Sequence, residues 1–149
     1  MESWKFMLFE LDIIDVICDD LEQQGYLIIN RKTERRHEGI DIIAKKDSAD
    51  SKEFFYIEVV GGTSSDPTSK KYGEPFDSSQ CKIHVAEQLY KCMKHLSGPK
   101  IKEAYYKIGI AFEDNEYYRK HVEEIKQALN DLSIDVLFVK QDKEIKYLT

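Results

Sequence analysis

Three short apolar runs follow one another between residues 26 and 60, and they constrain the fold of this 149-residue chain more than any other feature. They read YLIINRK (26–32), IDIIAKK (40–46) and EFFYIEVV (53–60), and each has the length and the β-branched or aromatic content of a strand. The stretch RRHEG separates the first two as a turn, and DSADSK separates the last two as a hairpin-like loop. The sequence therefore predicts three consecutive strands.

Helical periodicity surrounds these strands, because apolar residues recur at three- and four-residue steps before and after them. The second helical segment starts at a serine N-cap and is followed by a glycine. The predicted helices cover residues 4–24, 78–98 and 114–132, and the later strands cover 104–112, 134–140 and 144–148. The order α-β-β-β-α-β-α-β-β predicts one α/β domain over residues 1–149, built on a mixed β-sheet flanked by helices.

The charge of the chain restricts its partners. The formal net charge of −6 argues against a strong sequence-independent DNA binder, which normally has a basic face. It leaves a nucleic-acid enzyme open, because metal-binding carboxylates and a solvated acidic helix both add negative charge.

Cysteine usage and the N-terminus indicate the compartment. Cys18, Cys81 and Cys92 are an odd set without a CxxC pair, which argues against a disulfide framework or a zinc site and favours a reducing cytoplasm. The N-terminal stretch is apolar but interrupted by acids, so neither a signal peptide nor a membrane span is expected.

The first predicted helix carries acids of two kinds. Asp12, Asp15, Asp19 and Glu22 fall together on a helical wheel, opposite the apolar arc, and are expected to form a solvated face. Glu10 falls inside the apolar arc, where a carboxylate is costly unless it is paired or binds a metal. An acid favoured by the helix dipole at a frayed helix start is the alternative explanation.

Asp41 and Glu58 interrupt strands that otherwise consist of Val, Ile and aromatic residues. Because side chains alternate along a strand, Glu58 points with Val60 and Asp41 with Ile43, so a hairpin would bring both acids to one face. Converging carboxylates repel one another, and a hard divalent cation such as Mg²⁺ or Mn²⁺ is the usual remedy. The alternative is a salt bridge to a cation, for which the candidates are Arg35, Arg36 and Lys82.

At this point the pattern resembles a known group of enzymes. An acid-bearing first helix, then EGIDIIAKK (38–46) and YIEVV (56–60), then a helix, a strand and a helix, is similar to the PD-(D/E)xK nuclease superfamily. The stretch Gly-Ile-Asp-Ile-Ile-Ala is closest to its Holliday-junction-resolvase and Mrr-like branches. The resemblance implies the restriction-endonuclease-like fold and hydrolysis of a phosphodiester, with DNA as the expected partner.

The resemblance also implies roles for individual residues. Asp41 takes the place of the motif aspartate, Glu58 that of the motif acid, and Glu10 that of the acid supplied by the first helix. These side chains, with the Val59 carbonyl, would hold Mg²⁺ (or Mn²⁺), which activates water for attack on the phosphodiester.

The chain departs from the motif at its lysine, because Val60 stands two residues after Glu58. Valine cannot polarise water or offset charge in the transition state. Lys82 is the substitute that we predict, since the wheel places it in the inward arc of the second helix, near the strand ends. A lysine that only extends past the core edge is the alternative. Gln80 and Gln88 resemble the helix glutamine of some exonuclease-like members.

The loop after the third strand is the one long irregular segment, and such loops are often functional. Its two glycines, Gly61 and Gly62, are expected to let the backbone approach a ligand closely. Hydroxyl and ammonium groups that would contact a phosphate backbone are supplied by Thr63, Ser64, Ser65, Lys70 and Lys71. An ordinary polar loop is the alternative.

Two functions are consistent with these features. One is a divalent-metal-dependent DNA endonuclease-like domain with a relocated lysine, working as a homodimer or beside a partner protein. The other is a nuclease-fold protein that has lost catalysis and serves as a binding or assembly module. The four histidines have no metal-ligand spacing and are expected to be structural or solvated.

Overall fold

A computed structural model describes residues 7–34, 39–70 and 72–148 of the chain. Its strands are β1 (Leu27–Arg31), β2 (Ile42–Asp47), β3 (Lys52–Val60), β4 (Ala104–Glu113), β5 (Ile134–Val139) and β6 (Ile145–Tyr147). Its helices are α1 (Glu10–Gln23), α2 (Ser78–Ser97), α3 (Glu116–Glu124) and α4 (Lys126–Asp131). Among the described residues, none of these helices has the length and apolar character needed to cross a bilayer.

The strands form one six-stranded sheet in which spatial order follows chain order, β1-β2-β3-β4-β5-β6. β1, β2 and β3 pair antiparallel, β3, β4 and β5 pair parallel, and β6 is antiparallel to β5. The parallel pairs need crossover connections, which α2 supplies between β3 and β4 and which α3 and α4 supply between β4 and β5. The predicted mixed sheet with flanking helices is confirmed.

Each face of the sheet buries its own apolar cluster. On one face, α1 packs Ile13, Ile17 and Leu21 against strand residues such as Ile57 and Val59. On the other face, α2 and α3 pack against the alternate residues of the same strands; this cluster includes Val85, Cys92, Ile110, Phe112 and Tyr118. Because side chains alternate along β3, Glu58 belongs to the α2 face.

Two helix boundaries differ from the predicted ones. Residues 7–9 are not helical, and α1 starts at Glu10 with Phe9 as its N-cap, so Glu10 occupies the first helical position. The acidic face predicted for α1 is confirmed, since its four acids are exposed. The helix predicted over 114–132 is broken at Ile125, whose φ of −118° and ψ of 14° separate α3 from α4.

The start of α2 is capped by Asp77 and not by the predicted serine. Asp77 Oδ1 accepts from the Gln80 amide at 2.9 Å, and Gln80 Oε1 accepts from the Asp77 amide at 2.9 Å. This reciprocal pair is a capping box, so the side-chain oxygen of Gln80 already has a structural partner.

The inward face of α2 is also different from the predicted arc. Its buried residues are Cys81, Val85, Gln88 and Cys92, whereas Lys82 is exposed. A wheel built from apolar residues alone misplaces this face, because three polar residues of α2, His84, Gln88 and His95, turn towards the sheet. The prediction that Lys82 points inward is wrong.

Candidate functional site

Asp41 and Glu58 meet at the end of the β2–β3 hairpin. The antiparallel register pairs Ile42 with Ile57, and one further step places Asp41 opposite Glu58. Both acids are buried, with 5% and 2% of their surface exposed. Asp41 Oδ2 accepts a hydrogen bond from the Val59 amide at 2.8 Å, next to Glu58 in the chain. The predicted hairpin is thus present, and it brings these two carboxylates into one buried region.

The environment of Asp41 disfavours its charged form. Burial, together with the negative charges of Glu10 and Glu58, raises the pKa of Asp41 to about 7, while the Val59 amide and Lys32 act in the opposite direction. The three carboxylates therefore interact electrostatically, although they come from α1, from the residue before β2 and from β3. We call Glu10, Asp41 and Glu58 the acidic cluster.

Lys32 joins the acidic cluster from the end of β1. Its Nζ donates to Glu10 Oε2 at 2.9 Å, and only 11% of its side chain is exposed. Its backbone amide donates to the Asp41 carbonyl at 2.8 Å, which holds the two chain segments side by side. Sequence reasoning missed this lysine, because its approach to Glu10 depends on how α1 packs on the sheet.

His95 pairs with the third member of the cluster. His95 Nε2 donates to Glu58 Oε2 at 2.6 Å, whereas Glu58 Oε1 is buried and has no hydrogen-bond partner in the described part of the chain. The spacing of Gln88, Cys92 and His95, four and then three residues apart, was a sequence signal for one helix face. It went unused because histidine was not counted with the apolar positions.

Lys82, the predicted substitute for the motif lysine, is on a face of α2 that does not bring it near these acids. Val60 is half-buried and packs against the α2-side core. Lys82 lies on the outer side of α2. Within residues 7–34, 39–70 and 72–148, the Lys and His side chains hydrogen-bonded to the acidic cluster are Lys32 and His95.

The glycines after β3 contact protein and not open space. A Cβ on Gly61 would lie 2.7 Å from the backbone nitrogen of Glu10, and a Cβ on Gly62 would overlap the Glu113 carboxylate. Glu113 is buried and accepts from the Leu8 amide at 2.7 Å. Gly61 therefore makes room for the chain that enters α1, and Gly62 makes room for the carboxylate that holds it; close approach of a ligand to Gly61, which lines the depression described below, stays a prediction.

The other predicted substrate contacts have different surroundings. Thr63 is buried at 3% exposure, and Ser64 is half-buried, with its Oγ accepting from the Asp66 amide at 3.1 Å. Lys70 is exposed, and Lys71 lies outside the described residues. Of this set, Ser64 and Thr63 line the same depression.

That depression, about 290 Å³ in volume, lies between the start of α1, the end of β3, the following loop and α2. We call it the α2 depression. Its lining includes Glu10 from the acidic cluster and three α2 residues, His84, Glu87 and Gln88. The aromatic ring of Phe76 also lines it and meets the His84 ring edge-on, with centroids 4.4 Å apart.

Tyr118 fixes one wall of the depression. Its hydroxyl donates to the Gly61 carbonyl at 2.8 Å and lies 3.0 Å from His84 Nδ1, and the residue is fully buried.

We expect Tyr118→Phe to lower the free energy of unfolding by about 1–2 kcal/mol, because the Gly61 carbonyl loses its buried donor. Urea denaturation measures this loss. Tyr117→Phe, at a partly exposed neighbour, is the control and should change stability by less than about 0.5 kcal/mol; equal effects would contradict the assignment.

The donor chemistry of the acidic cluster fits a hard divalent cation. The side chains offer oxygen ligands, and Glu58 Oε1 is a buried acceptor for which the described residues provide no donor. In their present orientation, however, no three His, Cys, Asp or Glu side chains of the described ranges are grouped as metal ligands. Glu10 is turned to Lys32 and Glu58 to His95, so these pairs would have to open for an ion to be held.

Comparison with known proteins does not assign a family: no family model matches the chain, and no curated protein matches it. The functional assignment therefore depends on the side chains themselves. The acidic cluster, with its partners Lys32 and His95, is the feature that an assignment has to explain.

Proposed function

We propose that this chain is a divalent-metal-dependent phosphodiesterase that acts on DNA, a nuclease-like domain of the PD-(D/E)xK type with an atypical active site. The burial of Asp41 and Glu58, at 5% and 2% exposure, is the observation that carries the proposal. Isolated buried carboxylates cost free energy that apolar residues at the same positions would save. Their convergence with Glu10 is what a site for Mg²⁺ or Mn²⁺ requires.

Each residue has a part in this proposal. Asp41, Glu58, the Val59 carbonyl and Glu10 would hold the ion. When bound, Mg²⁺ or Mn²⁺ would supply an activated water and stabilise charge on the phosphodiester. Lys32, the lysine hydrogen-bonded to Glu10, takes the charge-balancing part that Val60 cannot take.

The polar residues Thr63, Ser64, Lys70, Lys71 and Gln80 remain the proposed contacts to the nucleic-acid backbone. Exposed Lys82 is better placed for a backbone phosphate than for the acidic cluster. The free, buried cysteines suit a reducing cytoplasm, which we include in the proposal together with a homodimer or a partner protein.

One observation favours the second candidate, a nuclease-fold module that binds or assembles without catalysis. The Lys32–Glu10 ion pair and the hydrogen bond from His95 to Glu58 give two of the three carboxylates partners without a bound metal. In such a module Asp41 and Glu58 would contribute only to structure, and Val60 would be an ordinary core residue.

The deciding experiment is cleavage of single-stranded, double-stranded and branched DNA in the presence of Mg²⁺ or Mn²⁺. We expect the native chain to cut at least one of these substrates, Asp41→Ala to abolish cutting, and Asp50→Ala, at an exposed acid, to leave it unchanged. Mn²⁺ titration by calorimetry accompanies the assay. No cleavage by any protein, together with no heat of Mn²⁺ binding, would replace this proposal with the binding module.

The same assay separates the two lysines. Lys32→Ala should lower the cleavage rate roughly 100-fold, because it removes the cation at the cluster, and Lys32→Arg should keep part of that rate. Lys82→Ala should act mainly on the apparent affinity for DNA, with a weaker dependence on salt. A larger rate loss in Lys82→Ala than in Lys32→Ala would contradict the part given to Lys32.

A further inference from the structure

The α2 depression is rich in hydrogen-bond acceptors. Three carboxylates, those of Glu10, Asp66 and Glu87, belong to its lining, and the described residues that line it include no lysine or arginine. Glu87 is exposed on α2, whereas Glu10 is paired with Lys32. Without a bound divalent cation, the lining therefore disfavours a phosphate and favours a group that carries positive charge.

The tautomer of His84 adds another acceptor. A tyrosine hydroxyl has one proton, and Tyr118 donates it to the Gly61 carbonyl, which can only accept. At the contact of 3.0 Å with His84 Nδ1, the hydroxyl must therefore accept, and Nδ1 carries the hydrogen. Burial lowers the pKa of His84, which keeps the ring neutral although Glu87 and Glu10 act in the opposite direction. The remaining nitrogen, Nε2, is then an acceptor that has no hydrogen-bond donor among the described residues.

Gln88 is a second, independent indication of a ligand. Its side chain lines the depression, the residue is only 5% exposed, and its Oε1 has no hydrogen-bond partner among the described residues. A buried polar atom without a partner costs roughly 1–3 kcal/mol. Gln88 occupies a position of α2 where an apolar residue would pack without that cost, so a bound group that pairs with its amide accounts for it.

We propose that the α2 depression binds a guanidinium group, the arginine side chain of a partner protein. Guanidinium is planar and permanently charged, and its five N–H donors point outward in a fixed fork. That donor pattern suits three acceptors that α2 presents along one wall, namely the Glu87 carboxylate, His84 Nε2 and the Gln88 amide. Phe76 also lines the depression and supplies an aromatic ring for a cation–π contact. An ammonium group lacks the planar edge of two parallel donors with which guanidinium pairs with a carboxylate such as that of Glu87.

The experiment uses the full chain without added metal and two ligands that differ in one group. Nα-acetyl-arginine amide carries the guanidinium, and Nα-acetyl-citrulline amide replaces it with a neutral urea of nearly the same shape. In ¹H–¹⁵N spectra we expect the arginine compound, at millimolar concentration, to shift the amides of His84, Glu87 and Gln88. The citrulline compound should bind at least tenfold more weakly. Equal binding of the two, or no shift with either, would overturn the proposal.

Two variants and one control locate the contacts. Glu87→Gln should weaken arginine binding about two- to fivefold, while Glu123→Gln, at an exposed acid of α3, should leave it unchanged. Gln88→Met should weaken it about tenfold and should fold at least as stably, because it removes an unpartnered buried group. Equal weakening by Glu87→Gln and Glu123→Gln would indicate attraction by overall charge and reject the site. Because no metal is added, these results are independent of DNA cleavage.

Discussion

Asp41→Asn is expected to raise the free energy of unfolding by about 2–4 kcal/mol at pH 8, although it replaces a residue of the candidate site. Asp41 is 5% exposed, and burial raises its pKa to about 7 from a value near 3.8, so the ionised form is held in the folded state at a cost. Asparagine removes the charge, and its oxygen can still accept from the Val59 amide. Its amide hydrogens would face acceptors, the carboxylates of Glu10 and Glu58.

The pH dependence has a definite sign. Below about pH 4, Asp41 is protonated in both the folded and the unfolded chain, so it contributes no difference. As the pH rises from about 4 to 7, the unfolded chain releases this proton while the folded chain retains it, and stability falls. Above pH 7 the whole cost is present. The advantage of Asp41→Asn should therefore be small at pH 4 and reach its maximum near pH 8.

Urea denaturation at a series of pH values measures this difference, with Asp50→Asn as an exposed control that should show little of it. If the native chain is as stable as Asp41→Asn at pH 8 in metal-free buffer, then Asp41 is ionised there without cost. Under the proposed function, Mg²⁺ or Mn²⁺ should stabilise the native chain and leave the asparagine variant nearly unchanged. Stability and metal binding would then depend in opposite ways on one carboxyl group.

Gly61→Ala is expected to lower the free energy of unfolding by about 2–3 kcal/mol. The added Cβ would lie 2.7 Å from the backbone nitrogen of Glu10 and 2.8 Å from the carbonyl oxygen of Leu8. Both neighbours are backbone atoms, so a change of side-chain rotamer cannot relieve the overlap. The segment that enters α1 must shift instead, and Glu10 with it.

Gly98→Ala is the matched control, because a Cβ at the end of α2 would lie 3.3 Å from the nearest carbonyl oxygen and needs only a small adjustment. We expect it to cost less than about 1 kcal/mol, as measured by thermal and urea unfolding of both variants. If Gly61→Ala lowered the free energy of unfolding as little as Gly98→Ala does, the α1 entry segment would move easily. In that case the contact at Gly61 would not fix the position of Glu10.

The sheet was predictable because its strands repeat a strong local signal. β3 and β4 are apolar runs with turns at their ends, and the antiparallel pairing of β1, β2 and β3 follows from short connections. The position of Asp41 opposite Glu58 followed from the period of two along a strand. Sequence reasoning therefore established the part of the site that the β2–β3 hairpin determines.

The rest of the site depends on how helices pack on the sheet. Lys32 meets Glu10 only because α1 crosses the end of β1, and no sequence pattern around either residue indicates this contact. Sequence reasoning missed His95 and wrongly predicted that Lys82 points inward. Both errors have one cause, because a helical wheel that counts only apolar positions cannot recognise buried polar residues that have partners. The glycines after β3 were assigned to a ligand because their backbone neighbour lies some 50 residues earlier in the chain.

The hydrogen bond from the Leu8 amide to Glu113 joins residues 105 positions apart, and it bears on the order in which the chain folds. Closing so long a loop costs entropy that local hairpins do not incur, so the entry to α1 should dock after β2, β3 and β4 have paired. Glu10 then reaches Asp41 and Glu58 only in the last stage, and until then the three acids stay hydrated and apart. Their mutual repulsion should therefore hasten unfolding while leaving the folding rate nearly unchanged, which makes the acidic cluster a determinant of the lifetime of the native state.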